Sequence, residues 1–291
     1  MMPNLLAFRT ALTPSISVVL RMNPRILRLV VITLCMLSGC RNTAPIVRLP
    51  IQHSVQTDQL LVMSDVKLAS DHPLITDLQS LRTRVTQTLR LPQEGRMVTV
   101  YLFSNEHDYQ RYVAQRFPAL PPRRAYFVGS SHELAVYTFW GQRVREDLRH
   151  EFTHGLLHAH LAYVPLWLDE GLAEYFEVAG TNASGLQQDY SIQLASAASN
   201  GWQPNLARLE QLEQVWQMTR DDYQESWAWV HYCMHGSSEA RNTLLGYVQE
   251  LRTNPNPGKF QDRLRQANPH VDAHFFSYVS ALNTPTANAS Y

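Results

Sequence analysis

Cysteine is scarce in this chain of 291 residues, which contains three. Cys35 and Cys40 lie in or beside an apolar N-terminal stretch, so the remainder holds only Cys233 and has no disulfide framework. Net charge is also lacking, because 25 basic residues balance 25 acidic ones without a long run of Lys or Arg. Nucleic-acid binding needs clustered positive charge, so we expect no nucleic acid partner.

Glycine and proline, with 12 and 16 residues, are too few for a collagen-like or low-complexity chain. A hydrophobic content of 45% and a charged content of 17% exclude a wholly disordered protein. Long hydrophobic runs are missing too: the apolar segment 29–37 has nine residues, whereas a membrane-spanning helix needs about 20. The length suits one domain made of two subdomains.

The N-terminus has the features of a signal peptide. Arg25 and Arg28 precede the apolar segment 29–37, which ends in Leu37-Ser-Gly-Cys40. These four residues resemble the bacterial lipobox, in which the cysteine is lipidated and the chain is cleaved before it. We predict a signal peptide over 1–39, with Met22 as an alternative start, and a lipid anchor at Cys40. The protein would then sit on the bacterial cell envelope, facing the periplasm or the cell exterior.

Strand-like segments precede helix-like segments in the rest of the chain. After a lipidated tether over 40–52, segments rich in β-branched and aromatic residues predict strands over 60–63, 98–103, 125–128 and 134–139. From Arg143 onward the apolar spacing is helical. This order predicts an α+β fold, with a small mixed sheet in about 53–142, a mostly helical part in about 143–283 and a flexible tail over 284–291.

The segment His150-Glu-Phe-Thr-His154 lies within the helical stretch 146–161. At 100° per residue the two histidines are about 40° apart, so both imidazoles can meet at one ion, with Glu151 beside them. Leu148 and Phe152 cluster on the opposite face, which predicts that this helix packs on the sheet. A catalytic zinc site needs a third protein ligand and one open position.

A second motif follows at Trp167-Leu-Asp-Glu-Gly171. With the HExxH helix it resembles the gluzincin zinc metallopeptidases, particularly the compact peptidase-MA-like lipoproteins of bacteria. In that superfamily a second helix carries an acidic ligand in a W-L-N/D-E-G-type motif. The resemblance implies a zincin-like domain over 53–283, with one Zn²⁺ per chain held by His150, His154 and Glu170, and Glu151 as the general base.

Glu174 stands one helical turn after Glu170. We expect it either to accept a hydrogen bond from a ligand histidine and fix its tautomer, or to be an ordinary solvated carboxylate.

A third segment, Asp222-Tyr-Gln-Glu-Ser, resembles the Y-x-K-G-A segment of gluzincin aminopeptidases. There the tyrosine stabilises the oxyanion of the tetrahedral intermediate, which implies a catalytic role for Tyr223. The segment departs from that pattern, because Glu225 replaces the lysine and Ser226 the glycine. Packing of Tyr223 into the core is the other interpretation, and His231 is a weaker candidate for the same task.

A different third ligand would be His160, ten residues after His150, as in metzincins. Metzincins have a glycine seven residues after the first histidine, where the chain turns out of the helix. Leu157 occupies that position here. Without the turn His160 points away from the pair, so we favour Glu170 and assign His158 and His160 to solvated or core positions.

Together these residues predict a membrane-anchored zinc metallopeptidase acting on peptides or proteins. The Gly-x-Met-Glu-Asn motif by which related aminopeptidases bind a free amine is missing from the sequence, which favours an endopeptidase. We expect the strand 133–139 to lie at the sheet edge and pair with an extended peptide.

Three alternatives differ from that interpretation. The chain could be a zinc-binding envelope lipoprotein with little or no activity that acts as a binding module, or it could have a metzincin-type site with His160. A purely structural zinc site is disfavoured, because such sites have four protein ligands rich in cysteine.

Overall fold

A computed structural model describes residues 47–178 and 184–282. The predicted signal peptide, the lipidation site Cys40 and the predicted tail over 284–291 lie outside these residues. The described residues belong to one compact unit. None of the helices in the described ranges combines the length and apolar character needed to cross a membrane.

Five strands form one mixed sheet, and they include the four strands predicted from the sequence. They are β1 (His53–Thr57), β2 (Leu60–Ser64), β3 (Val98–Phe103), β4 (Ala125–Gly129) and β5 (Leu134–Phe139). Their order across the sheet is β1-β2-β3-β5-β4. Strands β2, β3 and β5 run parallel, while β1 and β4 are antiparallel to their neighbours.

The prediction that segment 133–139 forms the sheet edge is wrong. Strand β5 pairs with β3 on one side and with β4 on the other, so β4 is the edge strand at this end of the sheet and β1 at the other. A tight turn, closed by the Ser130 N–H donating to the Glu133 carbonyl, folds β5 back against β4. The run Leu134-Ala-Val136 is buried, as expected for an interior strand with both faces covered.

Ten α-helices and one short 3₁₀ helix (Val215–Gln217) occupy the described ranges. The α-helices are α1 (Pro73–Thr88), α2 (Glu106–Arg116), α3 (Val144–His160), α4 (Leu166–Val178), α5 (Gln188–Ser199), α6 (Leu206–Leu209), α7 (Arg220–His235), α8 (Ser238–Leu251), α9 (Phe260–Ala267) and α10 (Val271–Ala281). Eight of these ten follow the last strand. The predicted α+β fold is therefore confirmed.

Helices cover both faces of the sheet. On one face Val98 and Val100 belong to the same core as Leu148 and Phe152 of α3, and this core continues into α4, α7 and α8. On the other face a separate aromatic cluster joins the sheet to α2. The helix with the HExxH motif thus lies between the sheet and the helical part of the molecule.

Two glycines allow the elements of the site to approach closely. A Cβ atom on Gly155 would lie 2.6 Å from Val98 Cγ1, so α3 rests directly on β3. A Cβ atom on Gly171 would lie 2.6 Å from the Ser226 carbonyl oxygen, so α4 and α7 touch at this point. Only a residue without a side chain permits these separations. The second contact places the start of α7 beside the start of α4.

The chain joins the folded body before the predicted start at His53. Val47 and Leu49 pack against the aromatic cluster on the outer face of the sheet. The Val47 N–H donates to Gln115 Oε1 at 3.3 Å, and Pro50 is buried. Residues 47–50 thus belong to the folded body, because Val47 and Leu49 meet a hydrophobic surface, and the predicted tether over 40–52 extends too far toward the domain.

Candidate metal centre

The three predicted ligands come together between α3 and α4. His150 and His154 are one turn apart, with ring centroids separated by 4.9 Å. Their Nε2 atoms lie 3.4 and 3.6 Å from the same oxygen, Glu170 Oε2. One ligand atom from each residue is within 4.8 Å of the other two, so the group could hold a metal ion.

The first turn of α4 fixes the direction of Glu170. The Pro165 carbonyl accepts hydrogen bonds from the Leu168 and Asp169 N–H groups at the start of the helix. Trp167 is fully buried and stacks on Phe260 at 5.4 Å between ring centroids. Because the apolar residues of this turn face the core, Glu170 faces α3.

Each ligand histidine is held by a carboxylate on its other nitrogen. His150 Nδ1 is 3.1 Å from Glu177 Oε2, and His154 Nδ1 is 2.8 Å from Asp169 Oδ1. A carboxylate that accepts the Nδ1 proton leaves the Nε2 lone pair free for a metal.

Asp169 has a second histidine partner. Its other oxygen, Oδ2, lies 2.9 Å from His158 Nε2. Burial raises the pKa of Asp169, but the charges and hydrogen bonds of His154 and His158 outweigh this and hold it below its usual range. Asp169 is therefore an anion that joins two histidines, and only one of them faces Glu170.

Glu174 does not make the hydrogen bond predicted for it, because Glu177 holds His150 instead. Glu174 is only 8% exposed and hydrogen-bonds to Tyr190. Burial raises the pKa of Glu174 to about 7, against the attraction of His150. With His150 and Glu177 it forms a second group of possible ligands, but that group shares the imidazole of the first.

The carboxylates around the two imidazoles favour positive charge between them. Burial opposes the charged form of His150, yet hydrogen bonds to Glu170 and Glu177 raise its pKa well above the ordinary value. Burial also opposes a charge on His154, but Asp169 and Glu170 raise its pKa to about 9. An electrostatic field that favours protons on these nitrogens also favours a divalent cation.

Glu151 is held beside the ligands by the edge strand. Its Oε2 accepts a hydrogen bond from the Phe127 N–H of β4 at 2.7 Å. Burial raises the pKa of Glu151, while the positive charges of His150 and His154 act against the increase. A fixed carboxylate with a raised pKa is suited to accepting and returning a proton.

Of the two oxyanion candidates, only Tyr223 faces the ligands. It lines the same cavity as His150 and Glu151 and hydrogen-bonds to Arg123. Burial and the charge of Glu170 raise the pKa of Tyr223, and Arg123 opposes them.

His231 lies elsewhere on α7. It is buried, with Nδ1 at 2.7 Å from the Tyr278 hydroxyl, and it is not part of the cavity wall. Burial lowers the pKa of His231 to about 3. His231 is therefore a neutral residue of the helical core.

His160 is the last residue of α3 and lies away from the centre. The helix continues through Leu157 without the turn that a metzincin site requires. His160 Nε2 is 3.4 Å from the Gln59 side-chain amide, and His160 belongs to neither group of possible ligands in the described ranges. The geometry therefore favours Glu170 as the third ligand.

A cavity of about 810 Å³ lies beside the ligand group, and His150 is the predicted ligand that lines it. His150, Glu151, Glu174, Tyr190 and Tyr223 are part of its wall. The Nδ1 atoms of the two ligand histidines are closed off by Glu177 and Asp169. The cavity therefore reaches the centre at His150 and Glu151.

Three further residues of the site were not predicted from the sequence. Asp169 lies inside the second motif, and its position next to Glu170 could have indicated that it belongs to the site. Glu177 is seven residues after Glu170, a spacing that places both on one helix face. Arg123 lies in the loop before β4, where no periodicity indicates which side chains face the site.

The comparisons with known proteins identify no family for this chain. It matches no model of a protein family, and the search of curated proteins finds no match.

Proposed function

We propose that this chain is a zinc-dependent metallopeptidase that hydrolyses peptide bonds with Glu151 as general base. The observation that supports this best is the meeting of three ligand atoms from His150, His154 and Glu170 beside a cavity whose wall includes His150 and Glu151.

The donor set fits zinc. Two imidazole nitrogens and one carboxylate oxygen are a ligand set typical of catalytic zinc, which keeps a further position open. The carboxylates behind each histidine complete the arrangement, since metal-bound histidines generally donate their other N–H to such a group. A bound zinc ion would supply Lewis acidity, which lowers the pKa of water and polarises a carbonyl group.

The side chains of this centre have separate tasks in hydrolysis. Glu151 accepts the proton of the attacking water and returns it to the leaving amine, and the Phe127 N–H keeps its carboxylate in place. Tyr223, on the same cavity wall, donates its hydroxyl proton in a hydrogen bond to the oxygen that becomes negatively charged.

The edge strand supports a peptide as substrate. Strand β4 has one neighbour, β5, and its free side carries the Phe127 N–H that meets Glu151. An extended chain that pairs with this edge would pass the catalytic carboxylate. This arrangement favours cleavage within a chain, as an endopeptidase does.

The ligand set is tested by measuring zinc content. We expect one zinc per chain in the parent protein, loss of zinc in Glu170→Ala, and full zinc in His160→Ala. Loss of zinc in His160→Ala with retention in Glu170→Ala would favour the metzincin-type site. A parent protein that binds no zinc would overturn the proposal.

The role of Glu151 is tested with a Glu151→Gln variant. We expect this variant to keep full zinc content and to lose at least about 99% of the hydrolysis of a peptide library, since general base catalysis contributes a factor of 10² to 10⁴. Hydrolysis at the parental rate would contradict the assignment. A zinc-loaded parent that cleaves nothing would instead favour a binding module.

We further propose that the protein is anchored in the bacterial envelope through lipid on Cys40, by the lipobox-like sequence that precedes it. Radiolabelled palmitate should enter the parent protein and not Cys40→Ser. Equal labelling of the two proteins would contradict this proposal and leave the metal site unaffected.

A further inference from the structure

Four arginines line the cavity next to the metal ligands: Arg123, Arg124, Arg143 and Arg220. Two of them are neutralised by nearby carboxylates. Arg124 makes a bidentate pair with Asp147, and Arg143 pairs with Glu146. Arg123 and Arg220 have no carboxylate oxygen within 4.0 Å in the part of the chain that the structure describes. Because a guanidinium stays charged, the wall carries two positive charges without an ion-pair partner.

Arg123 is presented from a backbone segment that is fixed in place. Its carbonyl accepts a hydrogen bond from Gln110 Nε2 at 3.1 Å, and the Tyr126 hydroxyl donates to the carbonyl of Pro121 in the same segment. The guanidinium hydrogen-bonds to Tyr223 and is near enough to Glu170 for their charges to interact. Arg123 therefore contacts the residue proposed to stabilise the oxyanion, and its charge acts on a predicted metal ligand.

Arg220 lines the cavity from a different element, α7, of which it is the first residue. A capping box between Thr219 and Asp222 fixes this helix start. A cation in the first turn is unfavourable for a helix, because the amide dipoles already give that end a partial positive charge. The positive charge of Arg220 interacts with the hydroxyl of Tyr190, on α5. Arg220 thus costs helix stability and has no ion-pair partner to offset that cost.

Most carboxylates of the same wall are held by partners other than Arg123 and Arg220. Glu146 and Asp147 pair with other arginines, and Glu177 is bound to His150. Glu151 accepts a hydrogen bond from the Phe127 N–H, and Glu174 hydrogen-bonds to Tyr190. Among the described residues, Asp189 is the one exposed acid of the wall without a cation within 4.0 Å. It lies on α5, whereas Arg123 lies in the loop before β4 and Arg220 on α7. A ligand that reaches between Arg123 and Arg220 therefore meets two guanidinium groups.

We propose that Arg123 and Arg220 select peptides that carry a carboxylate near the scissile bond. The carboxylate is either the side chain of Asp or Glu, which agrees with cleavage within a chain, or the C-terminal group of the substrate, which would instead place cleavage near the chain end. Both suit the planar, bidentate donors of a guanidinium. This inference rests on the proposed peptidase function and adds a class of substrate to it.

Binding is tested separately from hydrolysis, with the zinc-loaded Glu151→Gln protein and two pairs of peptides. The first pair differs only in a free or an amidated C-terminus. The second pair, both amidated, differs only in Glu or Gln at one scanned position. We expect the acidic member of at least one pair to bind about tenfold more tightly, as for a charge-assisted bidentate contact. The pair that shows the difference identifies the source of the carboxylate.

Variants show whether the arginines cause the preference. In the Glu151→Gln background, Arg123→Gln or Arg220→Gln should remove most of the tenfold difference. Arg143→Gln, on the same wall but already paired with Glu146, is the matched control and should keep it. A preference that persists when both Arg123 and Arg220 are replaced would be due to the metal and would overturn the proposal.

Equal binding of acidic and neutral peptides would also overturn it, and so would a lack of binding to all four. Turnover by the parent enzyme separates this inference from the peptidase proposal. Hydrolysis without a preference for acidic peptides would leave the peptidase function standing and refute the role of the arginines. A preference in binding without any hydrolysis would support the role of the arginines and refute the peptidase function.

Discussion

At the scale of single residues, the two ligand histidines differ in how they are held. His150 depends on Glu177, from the last turn of α4, whereas His154 depends on Asp169, from the first turn. Asp169 has two histidine partners and Glu177 has one, so the His154 side is the more constrained. Zinc affinity should therefore depend on these two carboxylates and much less on Glu174.

Glu177→Gln should lower zinc affinity by about tenfold or more, because loss of a charged acceptor on Nδ1 weakens the imidazole as a ligand. Glu174→Gln, on the same helix and of the same shape, is the matched control and should change affinity less than about threefold. Competition with a chromophoric zinc chelator measures both. Equal losses of zinc affinity in the two variants would indicate that Glu174 also holds a ligand histidine, as predicted from the sequence.

The buried His231 should make the free energy of unfolding depend on pH. It is neutral in the folded protein because burial, and then the charge of His235, lower its pKa to about 3. The unfolded chain takes up a proton at this residue below its ordinary pKa of about 6.5, so acid favours unfolding. This residue alone should make the free energy of unfolding about 2 kcal/mol smaller at pH 5 than at pH 8.

Urea unfolding of the parent and His231→Asn between pH 5 and pH 8 tests this. The variant loses the contact with Tyr278 and should be less stable at pH 8, but its stability should fall less steeply as the pH decreases. The neighbouring His235 and Tyr175 are the same in both proteins, so the difference between the two slopes reports the titration of His231 and its interaction with His235. Identical slopes would contradict the neutral state of His231.

At the scale of elements, the contact of α4 with α7 sets the distance between Glu170 and Tyr223. Gly171 makes that contact possible, since a Cβ atom there would meet the Ser226 carbonyl. Backbone atoms cannot move aside as the end of a flexible side chain does. A larger residue must therefore push the two helices apart.

Gly171→Ala should destabilise the protein by about 1–3 kcal/mol, the usual cost of overpacking, and should lower zinc affinity because Glu170 is the adjacent residue. Gly246→Ala is the control: it lies within α8 and a Cβ atom there meets nothing within 4 Å. That change should stabilise the protein by about 0.5–1 kcal/mol, since alanine is the better helix former. Chemical denaturation compares the two, and a neutral Gly171→Ala would contradict the close contact.

At the scale of the whole molecule, zinc would join the two structural parts. Its ligands come from α3, which packs on the sheet, and from α4, which packs on α7 in the helical part. The ligand atoms are together only in the folded chain. Binding should therefore stabilise the fold as a whole.

Free zinc at about 1,000 times its dissociation constant should raise the free energy of unfolding by about 4 kcal/mol relative to the protein in a chelator. Thermal unfolding with zinc and with chelator measures this difference. Glu170→Ala should show little or none of it, while His160→Ala should show all of it. Equal melting temperatures for the parent with and without zinc would contradict a metal-linked fold.

The sequence alone determined the parts of this protein that depend on local geometry. Helical spacing places His150 and His154 on one face and leaves Leu148 and Phe152 for the core, whatever surrounds the helix. Short segments rich in β-branched and aromatic residues and separated by turns predicted four of the five strands. The α+β class followed from their order, because strands that precede helices form a separate sheet.

Only the tertiary structure decided which distant groups meet. The sequence did not show that Glu177 rather than Glu174 holds His150, because both carboxylates are on the same helix and the rotation of α4 against α3 selects between them. It placed β5 at the sheet edge, whereas pairing between strands makes β4 the edge and brings its Phe127 N–H to Glu151. Arg123 lies in a loop without periodicity and faces the cleft only through its packing. Contacts within one helix are fixed by its regular geometry, while contacts between elements depend on how the whole chain packs.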